Sequence, residues 1–88
     1  MKLKYNFVTN EVADKIVAVA VGDDLQKFNG FIKMNDTGAY IFNMLKNDVT
    51  EEEIAAAMKK DFNDATEEEI KETVSEFVGK LKDADVLE

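Results

Sequence analysis

The N-terminal third of the chain has the residue pattern of paired β-strands. Residues 15–21 carry β-branched side chains at alternate positions, and the run is too short for an isolated helix. The run at residues 7–12 is also rich in strand-forming residues, and only Ala13 and Asp14 separate the two. A connection this short predicts an antiparallel hairpin.

A third strand is predicted a few residues further on. Gly22 and the two aspartates after it should end the second strand. Asn29 and Gly30 both tolerate positive φ, which predicts a tight turn before the apolar residues 31–34. We therefore expect a three-stranded antiparallel meander at the N-terminus.

The remainder of the chain carries three helix start signals. The first is a side-chain cap at Asn35 or Asp36, followed by a helix to about Lys46. The other two are capping boxes, in which a threonine and a glutamate three residues later satisfy each other's backbone amides. These boxes pair Thr50 with Glu53 and Thr66 with Glu69.

Apolar residues recur every three or four positions after each start signal, which predicts amphipathic helices. Strands followed by helices indicate an α+β fold, and 88 residues suffice for one domain, residues 1–88. The outline is that of a winged helix-turn-helix, with the final Val86 and Leu87 folding back on the core. The helical apolar positions are Ala39, Phe42 and Leu45, then Ile54, Met58 and Phe62, then Ile70, Val74, Phe77, Val78 and Leu81.

Composition argues against several functions. The chain has no cysteine, histidine or arginine, so thiolate chemistry, histidine bases and histidine–cysteine metal sites are ruled out. Its single serine, Ser75, has no histidine to activate it. We expect no enzymatic activity and no cofactor.

Charge argues against nucleic acid as a partner. The net charge is −8, and residues 48–88 carry five lysines and fourteen acidic residues. The predicted last helix would occupy the position of a DNA-recognition helix, yet its glutamates would repel phosphate. No apolar run approaches the length of a membrane span. We expect a soluble cytoplasmic protein.

Recognition of another polypeptide fits the predicted fold better. A three-stranded meander leaves two strand edges with unpaired backbone groups, and an extended peptide can add to such an edge. The third strand is apolar except for Lys33, and the long last helix can flank it. Two alternatives stay open. In the first, Ile32 and Met34 only fill the core. In the second, the domain is a homodimeric structural or regulatory module, for example a transcriptional one.

Three segments, taken in order, resemble the PqqD-like family. Residues 28–45 are similar to the family core F-N-G-x-I-x-L-N-E-T-G-A-x-I-W-x-L-L, with Met34 for leucine and Phe42 for tryptophan. Residues 50–54 resemble its T-x-E-E-I helix start. Residues 74–87 resemble its C-terminal pattern, although Asp85 stands where glycine is frequent. The resemblance spans residues 5–88.

The resemblance implies a RiPP recognition element, a domain that binds the leader of a ribosomally made precursor peptide. Members present that leader to a modifying enzyme, typically a radical SAM enzyme of the SPASM type, in the synthesis of pyrroloquinoline quinone or another product. The leader would lie as a strand beside the third strand, facing the third helix. The acidic C-terminal half further suggests lysine or arginine in the leader. The implied peptide-binding residues are Phe31, Ile32, Lys33, Met34, Val74, Phe77, Val78 and Leu81.

Overall fold

The predicted meander is present in the computed structural model, which describes all 88 residues. Its strands are β1 (Phe7–Val12), β2 (Lys15–Ala20) and β3 (Phe31–Met34), in the spatial order β1-β2-β3. Both pairs are antiparallel. The hairpin turns through Ala13, whose φ of 57° lies in the left-handed region. With β2 in the centre, β1 and β3 each have one unpaired edge.

The connection from β2 to β3 differs from the expectation. Gly22 adopts a φ of 65° and begins a short 3₁₀ helix, Gly22–Gln26, which the sequence pattern did not reveal. Asn29 and Gly30 do not have positive φ, so the predicted turn geometry there is wrong. The chain reverses through the 3₁₀ helix instead. The Asp24 carboxylate accepts a 2.8 Å hydrogen bond from the backbone N–H of Asn6, which holds this segment against the start of β1.

Three helices follow the sheet, as expected. They are α1 (Asp36–Met44), α2 (Glu51–Asp61) and α3 (Glu67–Asp83). The Asn35 side chain caps α1 by accepting a 2.8 Å bond from the Gly38 amide. Both predicted capping boxes form. The first helix ends at Met44, two residues earlier than predicted.

A single cluster of 18 buried hydrophobic residues joins the sheet, the helices and both chain ends. Phe7 lies within it, edge-on to Phe42 at 5.3 Å and to Phe28 at 5.6 Å, so the segment before β3 is tied to α1. The C-terminus folds back as predicted, with Val86 fully buried and Leu87 bridged to the N-terminal segment.

The chain reversal before Val86 is made by a residue other than glycine. Asp85 adopts a φ of 59°. Aspartate tolerates this left-handed conformation better than most residues, because its short side chain can be satisfied locally. Here its carboxylate accepts a 2.7 Å bond from Lys4 Nζ.

Candidate functional site

Strand β3 has an open edge with a definite set of outward-facing backbone groups. The Val21 amide donates a 3.0 Å bond to the Asn6 carbonyl, which sets the alternation along the central strand. Because the direction of the backbone N–H and C=O groups alternates, those of Lys15, Val17 and Val19 bond to β1. The backbone groups of Ile16 and Ala18 point to β3 instead. Their partners in β3 are Met34 and Ile32. Phe31 and Lys33 therefore direct their N–H and C=O groups away from the sheet.

The side chains of β3 alternate between core and solvent. Ile32 and Met34 are each 5% exposed and belong to the core, in agreement with the alternative that the sequence left open. Phe31 is 59% exposed, and Lys33 is also exposed. The two share the outer face of the sheet, with Lys33 Nζ 5.9 Å from the centre of the Phe31 ring. An apolar ring and a charge are thus available beside the open edge.

Helix α3 contributes less surface than the resemblance implied. Val74 and Val78 are each 1% exposed, and Leu81 is completely buried. Their side chains face the core, so they have almost no surface left for a peptide to contact. Phe77 is the exception among the four implied residues, because it is only partly buried and lies against the core from outside.

A glycine in α1 creates the space that Phe77 occupies. A Cβ atom added to Gly38 would lie 2.8 Å from the Phe77 ring and 3.1 Å from Met34 Cβ, both closer than ordinary contact. Any larger residue would push the ring outward. Gly38 was not among the predicted site residues, although it lies in the segment that resembles the family core.

Phe77 lines two open clefts at this place. One has a volume of about 360 Å³ and the other about 370 Å³. Lys80 projects from the last turn of α3 into both, and its Nζ donates a 3.0 Å bond to the Lys33 carbonyl. The first cleft is lined by Lys15, Lys33, Met34, Asn35, Phe77 and Lys80; the second by Asn35, Thr37, Gly38, Thr73, Glu76, Phe77 and Lys80.

The local charge of these clefts is opposite to that of the C-terminal half as a whole. They are lined by three ammonium groups and one carboxylate, that of Glu76. Lys15 and Lys80 were not predicted site residues, because they lie on different elements from the third strand and no sequence spacing connects them to it.

Two further clefts lie between α2 and α3, on a different side of α3 from Phe77. Their volumes are about 410 and 390 Å³, and Glu52, Ala55 and Lys71 line both. Neither is bordered by an unpaired strand. They offer no backbone groups of the kind that β3 presents.

The perturbed ionisable groups form isolated pairs outside the β3 edge. The Asp61 carboxylate accepts a 2.5 Å bond from the Tyr40 hydroxyl, which raises the pKa of Tyr40. A bond to Asp85 raises the pKa of Lys4 in the same way. No group of three or more potential metal ligands lies close together. None of the helices combines the length and the apolar composition needed to cross a bilayer.

The order of elements places the chain in a class of small α+β domains with a winged helix-turn-helix-like outline. The solved structure of TbiB1 in complex with the TbiA(beta) leader peptide has this fold. It matches with a TM-score of 0.74 and 20% sequence identity, covering 100% of this chain and 95% of that one. A comparison with curated protein sequences gives no match.

The family is established by the sequence itself. Residues 16–87 match the family described as coenzyme PQQ synthesis protein D (PqqD). The match includes β2 from its second residue, β3 and all three helices. The chain therefore belongs to the PqqD family.

Proposed function

We propose that this chain is a non-catalytic peptide-recognition domain that binds the leader of a ribosomally synthesised precursor by adding it as a strand to β3. The observation that carries the proposal is the open edge of β3 beside the Phe77 clefts, in a chain of the PqqD family. The fold shared with TbiB1, whose structure contains a leader peptide, supports it.

Backbone pairing supplies a general basis for affinity. Phe31 and Lys33 offer two amide donors and two carbonyl acceptors to an incoming strand. Each backbone hydrogen bond contributes about 0.5–1.5 kcal/mol net. Four such bonds contribute on the order of 2–6 kcal/mol. Side-chain contacts with Phe31 and Phe77 would then select among peptides, as in other cases of strand addition.

The edge of β1 is a poorer site for the same interaction. Only Phe7 of its six residues is buried, and Phe7 is also the residue of β1 that packs on α1, through Phe42. A peptide added to β1 would find the backbone groups and two exposed valines, Val8 and Val12, but no cleft lined by α3 in which to bury its side chains. Because burial of apolar area is the main favourable term in association, β3 is the better docking edge.

The domain's role would be to hold the leader while a partner enzyme modifies the rest of the precursor. We propose a radical SAM enzyme of the SPASM type as that partner, and either pyrroloquinoline quinone or another peptide-derived compound as the product. Holding the leader raises the effective concentration of substrate at the enzyme. Since precursors of this kind are made by ribosomes, we place the encounter in the cytoplasm.

A titration followed by NMR tests the docking edge. The ¹⁵N-labelled chain would be titrated with synthetic leaders made from the short reading frames that adjoin its gene. The amides of Phe31 and Lys33 should shift and become protected from hydrogen exchange. Perturbation confined to β1 or to the α2–α3 clefts would contradict strand addition at β3. Loss of free β3 amide signals at high protein concentration, without peptide, would favour the homodimeric module instead.

A further inference from the structure

Three lysines from three different elements meet at the end of the β3 edge. Lys15 comes from β2, Lys33 from β3 and Lys80 from α3, and all three line the same cleft of about 360 Å³. The chain as a whole carries a net charge of −8. A local excess of positive charge on a strongly acidic molecule is a feature that a ligand can recognise.

The bond between Lys80 and Lys33 gives this cluster a specific relation to peptide binding. Lys80 Nζ donates to the Lys33 carbonyl, one of the two acceptors on the open edge. An added strand would direct an amide N–H to that same oxygen. The ammonium of Lys80 must then share the Lys33 carbonyl oxygen with the peptide or leave it. At the same time the peptide excludes water from the cleft around this ammonium. Partial desolvation of an ammonium is costly unless an anion or another acceptor replaces water.

We infer, on the basis of the strand addition proposed above, that the peptide carries an aspartate or glutamate at the position beside Lys33 and Lys80. Its carboxylate would accept from Lys80 Nζ and lie within the field of the other two lysines. Glu76, the one acidic residue lining the adjoining cleft, leaves the local balance positive. This inference replaces the expectation of a basic leader, which rested on the summed charge of residues 48–88 rather than on the residues beside β3.

Selection from a random library tests this preference without knowledge of the natural precursor. The probe is an mRNA-display library of random 12-residue peptides, selected for binding to the full chain. Enriched peptides would be made as glutamate and glutamine versions, differing only at the position next to Lys33. Their affinities for the parent, Lys80→Gln and Lys82→Gln would be measured by fluorescence anisotropy at low and high salt. Lys82 is the matched control, because it is exposed on the same helix but lines neither cleft.

We expect acidic residues to be enriched and the glutamine version to bind the parent about three- to fivefold more weakly at low salt, the upper part of the range for an exposed ion pair. High salt should reduce the difference. Lys80→Gln should abolish it and Lys82→Gln should preserve it. Two results would overturn the inference of an acidic residue while leaving strand addition intact. One is enrichment of basic residues; the other is equal affinity of the glutamate and glutamine versions while the β3 amides still shift. Enriched peptides that leave the β3 amides undisturbed, or no enrichment at all, would count against strand addition itself.

Discussion

Replacing Lys33 with proline isolates the contribution of the strand's backbone to peptide binding. Lys33 is exposed and directs its N–H to the open edge, so proline removes a donor that no residue of the domain uses. Proline is tolerated on edge strands for this reason. Ile32 is a less suitable position, because its amide bonds to β2 and its side chain is in the core. Lys33→Ala is the matched control, since it loses the same side chain but keeps the amide.

The expected loss follows from one hydrogen bond. Lys33→Pro removes a net contribution of about 0.5–1.5 kcal/mol and leaves a peptide carbonyl without its partner, at a cost of about 1–3 kcal/mol if that carbonyl were fully buried. The edge is open to water on one side, so the lower part of this range applies. Relative to Lys33→Ala, the proline variant should bind about 1–2 kcal/mol more weakly, which is roughly a 5- to 30-fold increase in Kd.

Fluorescence anisotropy with a labelled peptide measures this difference, and circular dichroism confirms that both variants fold. Glu11→Pro supplies a second control, because Glu11 directs its amide to the unpaired edge of β1 and its substitution should leave the affinity unchanged. Equal Kd values for Lys33→Pro and Lys33→Ala in folded proteins would refute strand addition at β3. A large loss in Glu11→Pro would instead point to β1.

Three further outcomes are expected. Gly38→Ala should displace the Phe77 ring, seen in its NMR shifts, and weaken peptide binding severalfold, whereas Gly79→Ala, with nothing within 4 Å of the added Cβ, should do neither. Hydrogen bonds with Thr66, the residue that caps α3, lower the pKa of Glu69 from its ordinary 4.5. The contribution of Glu69 to stability is therefore full above pH 4.5 and is lost as the pH falls through the lower pKa of the folded state. The thermal stability gap between the parent and Glu69→Gln should therefore narrow in acid, and a constant gap would contradict this assignment. Leu81→Ala should destabilise the domain by about 2–5 kcal/mol in urea unfolding, because the side chain is completely buried; a loss below 1 kcal/mol would show that it is not.

The α3 helix of this domain is acidic, unlike the recognition helix of a DNA-binding winged helix. The fold places α3 where a recognition helix would lie, but residues 66–82 contain five glutamates and three lysines. The strand addition proposed above would use the edge of β3 next to that helix. A shared outline can serve different partners, because function depends on the groups at the site rather than on the arrangement of elements.

The elements of this fold were predictable because their signals are local. A capping box needs only a threonine and a glutamate three residues apart, and both boxes, at Thr50 and Thr66, form as expected. The hairpin at Ala13 follows from two strand patterns separated by two residues. The open edge of β3 was also predictable, since a meander of three strands always leaves two edges.

The residues that complete the β3 site depend on the tertiary structure. The sequence could suggest that Val74, Val78 and Leu81 lie on one helix face, but only packing shows that this face is buried. Of the four apolar α3 residues predicted to bind the peptide, Phe77 is the one that lines the clefts beside β3. The contact between Lys80 and Lys33 joins residues 47 positions apart, and no periodicity encodes it. By itself the sequence determined the three strands, the three α-helices and their order, because these arise from interactions within a few residues. Only the folded chain decided which side chains border the open strand, because that depends on how separate elements pack.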